Sequence, residues 1–276
     1  MATVADAIRE VSAAAIEPRF AALVAGEVRT KSPGELVTVA DEEAEAMLCR
    51  RLAGILPGVP VVGEEGCSRD PARLAALRSD RAWLVDPLDG TANFVAGSPD
   101  WAVMVALVEG AKTVASWIWL PLRRIMYMAE TGGGATRNGD RLLVTPEGRP
   151  ARPRGAVLRR FLDRWVLDRL DSDAVRDGLG DIGPGRYCAG VEYPLLVEGG
   201  QDFILFWRTL PWDHAPGVLL LREAGAAAAR PDGSAYRLTD AEGRGLLAAA
   251  DESTWRLVQR AVFGSAAGYL AETTSR

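Results

Sequence analysis

Asp86, Asp89 and Thr91 stand close together in the stretch Trp83-Leu84-Val85-Asp86-Pro87-Leu88-Asp89-Gly90-Thr91-Ala92-Asn93-Phe94. Two carboxylates at the end of a strand, with the Leu88 carbonyl between them, suit a hard cation such as Mg²⁺, which prefers oxygen ligands. Gly90 permits a tight turn, and Gly90 and Thr91 offer backbone N–H groups and a hydroxyl where an anion could dock. A plainer reading also fits. Asp-Pro and Asp-Gly are common turn pairs and Asp often caps a helix, so this stretch alone supports a loop and a cap as well as a metal site.

The elements around it must position those side chains. Trp83 to Val85 reads as a short buried strand, and Pro87, with no N–H to donate, ends its pairing. Upstream, the apolar spacing of Val4, Ile8, Val11, Ile16, Phe20 and Leu23 predicts helix over residues 3–25, with a break near Pro18. Lys31 to Glu35 reads as a loop and Leu36 to Val39 as a short extended piece. Asp41 is expected to N-cap a helix whose apolar face runs from Ala44 to Leu56 and which Pro57-Gly58 stops. Val59 to Val62 reads as a strand that delivers Gly63-Glu64-Glu65-Gly66. Adjacent acids between glycines are a weak signal alone, but strand ends are where open α/β sheets place ligands. Trp101 to Val108, Thr113 to Leu120 and Arg124 to Ala129 read as antiparallel strands. Residues 146–155 (PEGRPARPRG) mark the best internal boundary. Beyond it, helical and extended pieces alternate: Asp163–Leu179, Gly185–Ala189, Val191–Glu198 and Asp202–Trp207. Asp213 is expected to N-cap the next helix, which Ala224-Gly225 ends, and Asp251 or Ser253 to cap a last helix reaching Phe263.

Composition excludes several classes. With 32 basic and 37 acidic residues the net charge is −5, so no global field recruits nucleic acid or an anionic membrane. The Arg-rich stretch 149–164 reads as a solvated face, with attraction of an anionic partner as the alternative. Three cysteines at irregular spacing make neither a disulfide framework nor a zinc site. Cys67 to Arg73 has the spacing of a cysteine-phosphatase loop, but Arg69, Asp70 and Pro71 crowd it. Gly132 to Gly134 lacks the Lys-Ser/Thr of a P-loop. His214 is the only histidine, which removes two-histidine phosphatases and favours carboxylate–metal chemistry. With no membrane span, and with Asp6, Arg9 and Glu10 where a signal peptide needs apolar residues, a cytoplasmic setting is expected.

Four segments in order resemble the inositol monophosphatase family of Mg²⁺-dependent, lithium-sensitive phosphatases: Lys31 to Asp41 (KSPGELVTVAD), Gly63-Glu64-Glu65-Gly66, Asp86 to Phe94 (DPLDGTANF) and Trp212-Asp213-His214-Ala215-Pro216-Gly217. Together they cover nearly the whole chain. The resemblance implies an α/β fold, a layered αβαβα sandwich of the inositol monophosphatase and fructose-1,6-bisphosphatase type. Its α+β half over 1–146 would carry most metal ligands, and its α/β half over 147–276 would carry Asp213 and the specificity elements. Gly132 to Gly139 becomes a hairpin with an Asn138-Gly139 turn.

The resemblance also implies two or three Mg²⁺ per site. One is held by Glu64, Asp86 and the Leu88 carbonyl, another by Asp86, Asp89 and Asp213, with Glu65 as neighbouring support. Four converging carboxylates would otherwise repel one another and raise their own pKa values. Asp41 holds Thr91, which orients the attacking water, so the implied catalytic set is Glu64, Thr91 and Asp41. Gly90 and Thr91 amides hold the phosphate, and Asp213 also contacts the substrate. The expected activity is hydrolysis of a small phosphate monoester. Members are often homodimers; no nucleic acid or membrane partner is expected.

The alcohol-recognition positions depart from the family pattern. Phe206 stands where inositol-type members carry a Glu, Tyr187-Cys188-Ala189-Gly190 replaces the Gly-Ser/Thr-Ala segment, and Pro194 falls inside the following helix. Ala96 and Pro216 replace usual polar and small residues. Cys188, Ala189, Phe206 and Arg208 are therefore candidate substrate contacts for an inositol, cyclitol, sugar or amino-alcohol phosphate. The alternatives are a nucleotidase or sugar bisphosphatase of the same superfamily, or a non-catalytic regulatory protein with this fold.

Overall fold

The computed structural model describes residues 1–32, 34–145, 148–239 and 245–264. Helix α1 (Ala2–Val11) buries Val4, Ile8 and Val11 along one face. The expected helix does not run on to residue 25. A π turn over Ser12–Ile16 and a 3-10 turn over Glu17–Arg19 follow, because Pro18 cannot continue the α ladder. Lys31 and Glu35 lie not in a loop but in the paired strands β1 (Val28–Ser32) and β2 (Glu35–Thr38). Helix α2 (Val39–Ile55) starts earlier than expected: Thr38 is its N-cap, and Asp41 is the acid that closes a capping box.

Strand β3 (Val61–Gly63) hands directly to α3 (Glu64–Arg69). Strand β4 (Arg81–Asp89) pairs in parallel with β3, and its residues from Ala82 to Leu88 are buried. It does not stop at Asp86. Its pairing with β5 (Ala102–Glu109) shifts register between Asp86 and Asp89, and Pro87 sits in that bulge, where its missing N–H breaks no ladder bond. Short α4 (Thr91–Val95) follows β4. Strands β6 (Lys112–Leu120), β7 (Ile125–Glu130), β8 (Gly134–Arg137) and β9 (Asp140–Leu142) complete a seven-stranded sheet in the order β3-β4-β5-β6-β7-β8-β9. The expected Asn138-Gly139 turn joins β8 to β9, with both residues at positive φ.

The second sheet takes β10 (Gly155–Val157), β11 (Ile182–Gly183), β12 (Phe203–Phe206), β13 (Ala227–Ala229) and β14 (Leu246–Ala249) in the order β11-β10-β12-β14-β13. The expected extended piece at Gly185–Ala189 is displaced to β11, because Cys188 and Ala189 start a helix. Helices α5 (Arg164–Leu170), α6 (Asp173–Gly178) and α9 (Glu252–Phe263), the last capped by Asp251, cover the outer face. Helices α7 (Ala189–Val197) and α8 (Pro211–Ala224) lie between the sheets. Period-two alternation in β12 makes the layers: Ile204 and Phe206 face the central helices, while Phe203 and Leu205 face α5 and α9. The other side of the seven-stranded sheet packs Trp83, Val85 and Trp117 onto Ile8, Leu48 and Leu52 of α1 and α2. The layers thus run α, β, α, β, α.

Helix α8 is buried on every side from Ala215 to Leu221, as a helix between two sheets must be, and is polar only toward its ends. Its N-cap is Leu210 with Pro211 at the first helical position, so Asp213 lies one turn in rather than at the cap. The close approach of α7 and α8 depends on Gly217: a Cβ there would fall inside the ring of Tyr193, itself fully buried. Gly217→Ala should therefore cost about 1–3 kcal/mol of stability through overpacking. The urea midpoint of the purified variant checks this, and an unchanged midpoint would show that the two helices can slide apart freely.

Candidate active site

Glu64, Asp86, Leu88, Asp89, Gly90, Thr91 and Asp213 line one cleft of about 160 Å³, together with Ala189, Phe206 and Arg208. Each arrives by a different route. Glu64 is the first residue of α3, whose opening N–H groups are held from α2: Glu45 accepts from the amides of Glu65 (2.7 Å) and Gly66 (2.8 Å). Asp86 and Asp89 flank the β4 bulge, and the Leu88 amide donates to Asp86 Oδ1 at 3.0 Å. Gly90 turns the chain into α4 at φ +84°, with the Asp100 carbonyl 2.8 Å and the Cys188 Cβ 3.1 Å from where its own Cβ would sit, so no other residue fits.

Asp41 and Thr91 are joined as the resemblance implied. Asp41 Oδ2 accepts from the Thr38 amide (2.8 Å) and hydroxyl (2.6 Å), which leaves Oδ1 for the Thr91 hydroxyl at 3.0 Å. The Leu88 carbonyl is an equally near acceptor for that hydroxyl, at 3.0 Å. A hydroxyl has one hydrogen, so it donates to one of the two at a time. Capping and site duty thus fall on different oxygens of one carboxylate.

The electrostatics are those of crowded acids. Burial, then the charges of Glu64, Asp89 and Asp213, push the Asp86 carboxyl well above its ordinary range. Asp213 is pushed the same way by burial and then by Asp89 and Glu64, with Arg208 opposing. Burial raises Asp89 to about 6, although the Gly190 amide at 2.6 Å and the Cys188 thiol at 3.2 Å both donate to its Oδ2. Asp41 also rises to about 6 through burial.

Cys188 was a candidate substrate contact, but it is buried, does not line the cleft, and steadies Asp89 instead. Phe206 lines the cleft with its ring packed between Tyr193 (5.1 Å) and His214 (4.7 Å). His214 holds the wall rather than a proton. Tyr193 Oη lies 2.7 Å from its Nδ1, its Nε2 lies 3.1 Å from the Arg208 carbonyl, and burial lowers its pKa to about 3. These contacts make Nε2 the protonated nitrogen, donating to that carbonyl, and Nδ1 the acceptor.

Lys31 is the residue that the motif contained without a role. Its ammonium donates to Glu64 Oε1 at 2.8 Å and to Glu65. Burial disfavours that charge, but Glu64 and Glu65 outweigh it and raise the lysine pKa. Glu65 still rises to about 7, because burial and the neighbouring Glu64 outweigh its share of the same ammonium. The signal available was compositional: Lys31 is one of two lysines in an arginine-rich chain.

Among the described residues, no three acidic, histidine or cysteine side chains close around one point as a coordination shell. Glu64 is turned to Lys31, and one Asp89 oxygen to Gly190 and Cys188. The donor set is nonetheless all hard oxygen, and the buried acids raise one another's pKa, which a divalent cation would relieve. The residues fit Mg²⁺.

An αβαβα sandwich with an acidic cleft, where strand ends and helix starts from both sheets meet, defines a class of protein. The chain belongs to the inositol monophosphatase family, whose model matches residues 1–263. It is 31% identical over 248 residues to the inositol-1-monophosphatase of Mesorhizobium japonicum, covering 86% of each chain. It is 39% identical over 223 residues to the inositol-1-monophosphatase SuhB of Mycobacterium tuberculosis, covering 73% of this chain and 71% of that protein. The crystal structure of the extragenic suppressor protein suhB from Bartonella henselae superposes with a TM-score of 0.79 at 25% identity, over 95% of this chain and 97% of that one.

The raised acids set a pH dependence. Asp41 and Asp89 near 6 and Glu65 near 7 bind protons more tightly when folded than at their unfolded values of about 4. Their ionisation therefore costs stability progressively as pH rises from about 4 to 7. In EDTA, the urea midpoint should fall across that window, and fall less in Asp89→Asn. A midpoint that rises through the window would contradict the buried-acid description.

Proposed function

We propose that this chain hydrolyses a small phosphate monoester with the help of Mg²⁺. The observation that carries the reading is the convergence of Glu64, Asp86, Asp89 and Asp213, from both sheets, on one cleft beside the Asp41–Thr91 pair. Glu64, Asp86 and the Leu88 carbonyl would hold one ion, and Asp86, Asp89 and Asp213 another. When bound, Mg²⁺ supplies Lewis-acid charge for the phosphoryl oxygens and lowers the pKa of a water.

The chain's own residues do the rest. With the Leu88 carbonyl serving as an ion ligand, the Thr91 hydroxyl would keep Asp41 as its acceptor, and its oxygen would accept from and orient a water in the cleft that Thr91 lines. Asp41, raised by burial to about 6, is a base matched to neutral pH and can take the proton that Thr91 passes on. The Gly90 and Thr91 amides, at the turn into α4, suit a phosphate oxygen, since the first N–H groups of a helix have no partner within it. The names of the relatives support a phosphatase of this kind, and the family's use of Mg²⁺ agrees with the donor set.

Phosphate release from a panel of monoesters tests the reading. EDTA should abolish turnover and Mg²⁺ restore it, with Li⁺ inhibiting. Asp86→Asn should lower kcat by about 100-fold or more, on the scale of losing one principal electrostatic group. Asp41→Asn should cost about 10–100-fold, as outer-shell partners do. Full activity of Asp86→Asn in EDTA would sink the metal-dependent scheme.

A further inference from the structure

Tyr187 has a backbone conformation that its side chain makes costly. Its φ is +54°, in the left-handed region that glycine enters freely and a bulky side chain does not. The segment is pinned there from both sides. The Arg186 carbonyl accepts from Asn93 Nδ2 of α4 at 2.7 Å, and the Arg186 amide donates to the buried Glu192 of α7. The Arg186 guanidinium donates to Asp100 at 3.0 Å. On the other side, the Cys188 thiol and the Gly190 amide donate to Asp89. None of these contacts uses the Tyr187 side chain, so the anchoring does not account for a tyrosine at this place.

What the side chain faces does account for it. Tyr187 lines the cleft and is 41% exposed. Among the described residues its hydroxyl makes no hydrogen bond, and its ring meets no other ring or guanidinium. Phe161 is the other exposed aromatic residue among them, and it lines the same cleft. The two rings differ in one respect. The guanidinium groups of Arg208 and Arg160 already lie over Phe161, at 4.5 and 5.2 Å from its centre, whereas the Tyr187 ring is bare. Strain of this kind persists only where the surroundings over-determine it, and it gathers at ligand sites.

We propose that Tyr187 is a specificity-determining residue. Its ring covers a C–H face of the alcohol part of the bound monoester, and the left-handed backbone is retained for that contact. The proposal rests on the hydrolase reading above and adds the group that meets the leaving alcohol. The contact is made by carbon, so it grows with the apolar surface of the alcohol and vanishes for a one-carbon alcohol.

Steady-state kinetics with Mg²⁺ on methyl phosphate and cyclohexyl phosphate, two esters of unactivated alcohols, test it beside the urea midpoint. The wild type should prefer the cyclohexyl ester, and Tyr187→Gly should lower that preference in kcat/KM about tenfold, through KM rather than kcat. Tyr187→Phe should keep the wild-type preference. The urea midpoint of Tyr187→Gly should be unchanged or higher, since glycine relieves the left-handed strain. A purely structural tyrosine would give the reverse, a lower midpoint with equal losses on both esters, and that result would overturn the proposal. So would a cyclohexyl preference that survives Tyr187→Gly, or a wild type with no such preference. Each of these leaves the hydrolase reading standing. No turnover of either ester by the wild type would overturn that reading and the proposal with it.

Discussion

Like charges taken out of water repel one another and lose their hydration, and this chain gathers Glu64, Asp86, Asp89 and Asp213 into one cleft. Asp86, Asp89 and Asp213 all rise in pKa as a result, so the local interactions oppose the arrangement that the fold imposes. Something else must hold each acid in place. For Glu64 it is the α3 start, tied down by Glu45 from α2. For Asp86 and Asp89 it is a bulged strand buried on both faces. For Asp213 it is a helix wedged between two sheets. Hydrophobic layers thus supply the free energy that the site spends, a common relation between scaffold and functional site.

The central layer bears most of that load. Helices α7 and α8 touch through Gly217 and Tyr193, and Tyr193 continues through His214 to the Arg208 carbonyl. Asp213 is next to His214 in sequence, so the same contacts that orient the aromatic wall fix the start of α8. The lone histidine of the chain is buried and neutral, and it serves geometry rather than proton transfer. Arg230 braces the same connection from below, donating to Thr209 (2.9 Å) and to the Gly245 carbonyl (3.0 Å).

The pairing of Asp86 with Asp89 was legible from the sequence because it is local: both sit with Gly90 and Thr91 in one turn, whose spacing does not depend on the rest of the fold, whereas the arrival of Glu64 and Asp213 followed only from the family resemblance. How the acids are held was less legible. Asp41 and Asp213 both look like N-caps, yet both lie one turn inside. A capping box and a proline-started helix each shift the boundary by three positions while leaving the acid in the first turn, where the helix dipole favours it. Pro87 looks like a strand end because a regular ladder cannot contain it, whereas a bulge can. The roles of Lys31 and Gly190 depend on partners far away in sequence, Glu64 and Asp89, which no local pattern encodes.

Lys31 and Arg208 are cations whose charge acts on these acids, and they stand differently toward them. Lys31 bonds Glu64 and Glu65 directly, so its charge is spent on carboxylates of the first sheet's side. Arg208 moderates Asp213 only through space and gives its hydrogen bond to Glu35. Burial lowers the Arg208 pKa while Asp213 supports it, so the guanidinium is a partly desolvated cation. Desolvation strengthens its attraction for any anion that reaches it.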